Sequence, residues 1–158
     1  MKLINIQLTV EKIAIDELSA SDRELVDAAT LATYRSYSPY SHFSVGAAIR
    51  LDDGTIVSGA NQENVAYPSG TCAERTACFY AHAQYPERSF CAIAIAARGT
   101  DGELTSELIP PCGACRQALL EYEKIGGSPV RVMMRGGDFV YAVPSVASLL
   151  PLSFTSFS

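Results

Sequence analysis

The chain has 158 residues, 48% of them apolar and 18% charged, with a net charge of −5; this is a globular balance, long enough to bury roughly two thirds of the unfolded surface around one core. Its basic residues are scattered rather than clustered, which argues against a polyanionic partner bound through neutralised phosphates and favours a small substrate without phosphate. No apolar run reaches the roughly 18 to 20 residues that span a bilayer and the N-terminus lacks the order of a signal peptide, so neither a membrane nor a secreted setting is expected and the protein is read as cytoplasmic.

Residues 3–10, LINIQLTV, alternate with Ile4, Ile6, Leu8 and Val10 on one side, which predicts a half-buried strand. Ser21 and Glu24 have capping-box spacing and open a helix over 22–36, with Leu25, Ala28, Ala29 and Ala32 as its inner stripe. SPYSH at 38–42 breaks it. Residues 43–51 and 55–63 flank Asp-Asp-Gly and predict a hairpin. From Thr71 the pattern is helical to Gln84. Residues 90–97, FCAIAIAA, read as a strand covered on both faces. The connection over 99–111 is long for a compact domain, and loops of that length are often functional. A helix over 113–124, strands over 129–134 and 139–143, a short helix over 145–150 and an apolar tail follow. The sum is one α/β domain over 1–158, a sheet of about five strands with helices on its faces.

Five cysteines, an odd number with no secretory signal, argue against a disulfide framework and leave metal binding or the core. TCAERT at 71–76 and PPCGACRQ at 110–117 both stand at predicted helix starts. The partial positive charge and free N–H groups of a helix N-terminus favour thiolate, the form that binds metal. Cys112 and Cys115, three apart, can face one point from a single turn, and Cys72 is the candidate third ligand. Three thiolates leave one tetrahedral position for water, the pattern of a catalytic zinc site. Glu74 is the candidate to move that water's proton. Residues two apart on a regular helix do not share a face, so Glu74 must bend back at the first turn. Thr71 and Glu74 also satisfy a capping box, so spacing alone leaves Glu74 open between capping and chemistry. Cys112 and Cys115 alone would also suit a redox pair. The combination of C-x-E with P-C-x-x-C at a second helix start matches the zinc deaminases, in which a glutamate that is not a ligand acts as general acid and base.

The chain resembles the homotetrameric zinc-dependent cytidine deaminases in SPYSHFSVGAA at 38–48, NQENVAYPSGTCAERTA at 61–77, PPCGACRQ at 110–117 and LLPLSF at 149–154. The resemblance implies a three-layer α/β/α fold with a mixed sheet of about five strands, to which residues 1–20 add an N-terminal extension with an extra strand. It implies that Cys72, Cys112 and Cys115 hold one Zn²⁺ per subunit and that Glu74 shuttles protons. It assigns Asn61 and Glu63 to the ribose hydroxyl, Phe43 to the pyrimidine ring and Ala73 to the substrate pocket. Arg75 would hydrogen-bond a zinc thiolate, offsetting the −1 sum of three thiolates on Zn²⁺. A homotetramer with sites completed across subunits is implied, with Phe154 reaching a neighbour's base pocket and Tyr67 close to a neighbouring site. Ser44 stands where relatives often have proline, and Cys78 and Cys91 match no ligand and are expected in the core.

The implied reaction is hydrolytic deamination of cytidine and 2′-deoxycytidine to uridine and 2′-deoxyuridine plus ammonia, in pyrimidine salvage, by zinc-activated water with Glu74 passing protons to ring N3 and the leaving amine. The rivals are a related aminopyrimidine nucleoside deaminase of the blasticidin-S type, a polynucleotide-editing deaminase, a redox protein in which Cys72 is dispensable, and a structural zinc module. The last needs a fourth ligand, and His42 and His82 show no zinc-finger spacing.

Overall fold

The computed structural model describes residues 1–157. Six strands, β1 (Glu11–Ala14), β2 (Ser44–Leu51), β3 (Ile56–Ala60), β4 (Phe90–Arg98), β5 (Arg131–Gly136) and β6 (Phe139–Val143), form one sheet in the order β1-β6-β5-β4-β2-β3. Only β4 and β5 run parallel; the other neighbouring pairs are antiparallel. Three α-helices, α1 (Ala20–Ala32), α2 (Ala73–Gln84) and α3 (Gly113–Gly126), complete the α/β/α sandwich.

The period of two along the strands sorts the core into two layers. Ala47, Ile49, Ile93, Ile95, Val132 and Met134 pack toward α2 and α3. Ala48, Ala94, Ala96, Met133, Val140 and Ala142 pack with Leu25, Val26 and Ala29 of α1. Glycines permit the closest approaches. A Cβ at Gly46 would stand 2.2 Å from the Ala29 carbonyl oxygen of α1, and one at Gly59 would stand 2.5 Å from the Ala77 backbone nitrogen of α2. Gly59→Ala is therefore expected to push α2 off the sheet and lower stability by about 1–3 kcal/mol. The midpoint of chemical denaturation reads this out; an unchanged midpoint would show that the contact relaxes freely.

Several expectations change. No strand covers 3–10; these residues are exposed and outside regular structure, and the N-terminal strand lies at 11–14, paired with β6 from Glu11↔Ala142 to Ala14↔Phe139. Alternation in 3–10 supplies two faces but no neighbouring backbone. Helix α1 starts earlier than expected, with Ser19 as N-cap accepting from the Asp22 backbone N–H at 3.1 Å, and it ends at Ala32 before a 3₁₀ turn over Thr33–Arg35. Ser21 and Glu24 instead bind Arg50 of β2, Glu24 by an ion pair of 2.8 Å. The short helix expected at 145–150 is a 3₁₀ turn over Ala147–Leu149. Cys78 is in the core, but Cys91 is exposed. The β2–β4 register shifts there, pairing Leu51 with Phe90 and Arg50 with Ala92, so Cys91 falls in a bulge and turns outward. No helix among the described residues is long and apolar enough to cross a membrane.

Candidate active site

Topology brings the chemistry together. Strands β3 and β4 are each antiparallel to β2, so their C-terminal ends lie at the same edge of the sheet. Helix α2 follows β3 and α3 follows β4, and both pack on the same core layer. Their N-termini therefore meet outside the carboxyl ends of the strands, the usual binding location in open α/β sheets.

Cys72 is the N-cap of α2 and Cys112 the N-cap of α3; neither side chain makes a capping hydrogen bond. Cys115 lies one turn into α3 and is fully buried. The three sulfurs all lie within 4.8 Å of one another, with Cys112 and Cys115 at 3.5 Å. Tetrahedral zinc with Zn–S bonds of about 2.3 Å separates its sulfurs by about 3.8 Å, so this donor set fits the metal. It is the only such group of three or more donors among the described residues, and it contains no fourth protein ligand. The convergence of Cys72 with the other two sets the site apart from a two-thiol redox pair.

The N-cap position of Cys72 removes the difficulty with Glu74. Its backbone is extended, φ −74° and ψ 157°, so its sulfur does not follow the helical face on which Glu74 lies. Thr71 is not the cap, because it is bridged to Gln62 by two backbone hydrogen bonds of 2.9 Å. The capping-box alternative for Glu74 therefore lapses. Glu74 is 5% exposed. Burial pushes its carboxyl above the ordinary carboxylate range, and the Cys72 thiolate pushes the same way.

The Cys115 thiol donating to the Cys72 sulfur, with Arg75 second, pulls the Cys72 thiol down to about 5. Cys115 moves up for the reciprocal reason, reinforced by burial. Arg75 reaches the Cys72 sulfur at 3.6 Å, and hydrogen bonding to the Cys72 and Cys115 sulfurs pushes its pKa further up, holding the guanidinium charged. Cys78 stands apart: burial lifts its thiol to about 12, so it is inert.

A cleft of about 560 Å³ opens in front of the sulfurs, and Asn61, Glu63, Tyr67, Ala73, Glu74 and Arg75 are among the residues lining it with Cys72 and Cys112. Cys115 sits behind this surface. Phe43 and Phe154 do not line the cleft in this chain. Phe43 is half-buried, its carbonyl accepting from Asn61 Nδ2 at 2.9 Å. Phe154 is exposed, its ring edge-on to Phe157 and its carbonyl accepting from Gln117.

Asn61 and Glu63 also hold the facing wall. The Glu63 carboxylate accepts from the backbone N–H of Tyr40 and Ser41 at 2.9 and 3.2 Å, and from the Ser41 hydroxyl, whose donation lowers the Glu63 pKa. Tyr40 and Ser41, in the stretch that breaks the helix and carries part of the resemblance but is given no site role by the sequence, also line the cleft, as do Ile109 and Pro110. The prolines before Cys112 were the available signal. Arg116 was also missed. It donates to the Pro111 and Leu149 carbonyls, both at 2.8 Å, and so ties the cysteine loop to the C-terminal segment.

A family profile described as the cytidine and deoxycytidylate deaminase zinc-binding region matches residues 19–127, which contain all three helices and the three cysteines. The cytidine deaminase of Sporosarcina psychrophila is 42% identical over 132 residues, covering 84% of this chain and 90% of that protein. The cytidine deaminase of Halalkalibacterium halodurans is 38% identical over 136 residues, covering 85% and 96%. Among solved structures, the cytidine deaminase from Burkholderia pseudomallei matches with a TM-score of 0.70 at 40% identity, over 83% of this chain and 97% of that one. The cytidine deaminase from Mycobacterium tuberculosis gives 0.68 at 33%, over 87% and 100%. With the profile and near full-length relatives in agreement, and a three-sulfur site of one zinc per subunit inside the matched region, this chain belongs to the zinc-dependent cytidine deaminase family.

Proposed function

We propose that this protein catalyses hydrolytic deamination of cytidine and 2′-deoxycytidine to uridine and 2′-deoxyuridine with release of ammonia, as a step of pyrimidine salvage in the cytoplasm. The observation that carries this reading is a buried carboxylate, Glu74, beside three converged cysteine sulfurs at the floor of a nucleoside-sized cleft. Zinc held by Cys72, Cys112 and Cys115 supplies a Lewis acid that lowers the pKa of a water from about 15.7 toward roughly 7. Glu74 would accept the proton of the attacking water and deliver it to ring N3, then take up the C4 hydroxyl proton as the carbonyl forms and give it to the amine, which leaves as ammonia. Its burial suits this work, since a raised pKa brings a carboxyl closer to the operating pH of a proton carrier. Arg75 faces the thiolates and offsets their charge.

The remaining residues bind substrate. Glu63 and the uncommitted N–H of Asn61 take the ribose hydroxyl, and Ala73, the first residue of α2, borders the reacting base. Phe43, which does not line the cleft in this chain, is assigned to the pyrimidine ring on the resemblance alone, and its carbonyl holds the Asn61 amide. Among the described residues that line the cleft, Arg75 is the only basic one and it is turned to sulfur, so none of them leaves a cation for a phosphate; this supports a nucleoside over a nucleotide or polynucleotide. The working form is a homotetramer in which neighbours complete each cleft. Tyr67 and Phe154 are 76% and 63% exposed, and Phe79 and Tyr80 show half their surface along α2; exposed aromatic surface of this kind is usual at an interface.

Metal analysis paired with an ultraviolet assay tests the reading. One zinc per chain and loss of the cytidine absorbance band are expected, with activity abolished by chelation and restored by zinc. Undiminished turnover by the metal-free protein, or no turnover of either nucleoside by the zinc-loaded one, would refute it.

A further inference from the structure

We infer that Ser36 is a positioning residue for substrate binding, acting through Asn61; this rests on the reading of Asn61 as a ribose contact. An amide oxygen has two acceptor sites and an amide nitrogen two hydrogens. Both acceptor sites of Asn61 are taken: the Val45 backbone N–H donates to Oδ1 at 2.8 Å, and the Ser36 hydroxyl donates to it at 2.6 Å. One Nδ2 hydrogen goes to the Phe43 carbonyl at 2.9 Å. What Asn61 offers the cleft is a single N–H, so it can donate to a substrate hydroxyl and cannot accept from one.

Ser36 does not line the cleft. It follows the 3₁₀ turn after α1, and its hydroxyl also lies 3.2 Å from Ser38 Oγ, which is 3.3 Å from Ser44 Oγ. The Tyr37 backbone N–H beside it donates to the Asn61 carbonyl at 3.0 Å. Ser36 thus joins the end of α1 to the amide that faces substrate. Without its hydroxyl, Oδ1 regains an open acceptor site. The amide can then tilt, and the donor-only polarity of the contact is lost. The serine at position 44 belongs to the same hydroxyl chain, an arrangement that a proline there could not make.

Kinetics on the zinc-loaded enzyme test this. Ser36→Ala is expected to raise KM for cytidine about three- to tenfold, the worth of one neutral hydrogen bond, with kcat within about twofold. Ser36→Thr, which keeps the hydroxyl, restores KM. In an Asn61→Ala background the Ser36→Ala change adds nothing, as a residue acting only through Asn61 requires. A wild-type KM in Ser36→Ala, or additive effects in the double variant, would overturn the inference while leaving the Asn61 reading intact. A wild-type KM in Asn61→Ala would refute the Asn61 reading and the inference with it. Should Ser36→Ala fail to fold, Ser36→Cys, of similar size but a weak donor, must show the same rise in KM, and a wild-type value there is equally fatal.

Discussion

Glu74→Gln is expected to keep one zinc per chain and native stability while kcat for cytidine falls at least about a thousandfold. The size follows from the number of transfers that pass through one group. A single positioned acid or base contributes about 10²–10⁴, and in the proposed mechanism the same carboxylate would take a proton from water, give one to N3 and serve the leaving amine. Glutamine preserves shape and one acceptor oxygen but carries no exchangeable acid proton. The fold has no reason to suffer. Glu74 is 5% exposed and burial disfavours its ionised form, so an isosteric neutral side chain removes a desolvation cost instead of adding one. Zinc content by metal analysis, thermal melting and steady-state rates decide the matter. Turnover within tenfold of the parent protein would take Glu74 out of the proton path, and loss of zinc together with activity would make it a structural residue of the metal site.

Much of the architecture was legible because it depends on local rules. The apolar run of β4, the turn between β2 and β3 and the start of α3 all follow from period and punctuation. What failed depended on partners. LINIQLTV has the right alternation for a strand, yet the paired strand is the charged segment at 11–14, because that is the stretch that lies beside β6. Ser21 and Glu24 have capping-box spacing, but Arg50 on β2 claims both, and Ser19 caps the helix in their place. Cys91 sits in an apolar run and still turns outward, since a register shift is a property of two strands together. In the site, the sulfur ligands were readable because C-x-E and C-x-x-C each fix geometry within one helix start. That the two starts coincide in space was supplied by resemblance and is accounted for by the sheet order. For Asn61 and Glu63, spacing indicated a shared side but not the loop over 36–45 that both residues also hold.

Cys112→Ala is expected to abolish stoichiometric zinc, reduce activity to background and lower the melting temperature of the purified protein. Zinc bound by three thiolates depends on all of them, because two sulfurs leave half of the tetrahedral sphere to water. Cys112 is the exposed member of the three, half of a pair whose sulfurs are 3.5 Å apart. Its removal opens the site from the cleft side. The effect on stability has the same origin. The N-termini of α2 and α3 meet at the sulfurs, and metal binding free energy is folding free energy wherever the unfolded chain has no site. Without the ion, the two helix starts bring three sulfurs together with no metal to bridge them, and Arg75 contacts Cys72 at 3.6 Å. Cys91→Ala is the control, because that exposed thiol lies outside the cluster and should retain zinc, activity and melting temperature. Metal analysis of the two variants side by side separates ligand loss from a general sensitivity to cysteine replacement. One zinc per chain in the Cys112 variant would break the proposed ligand set, and with it the assignment of the water-activating position beside Glu74.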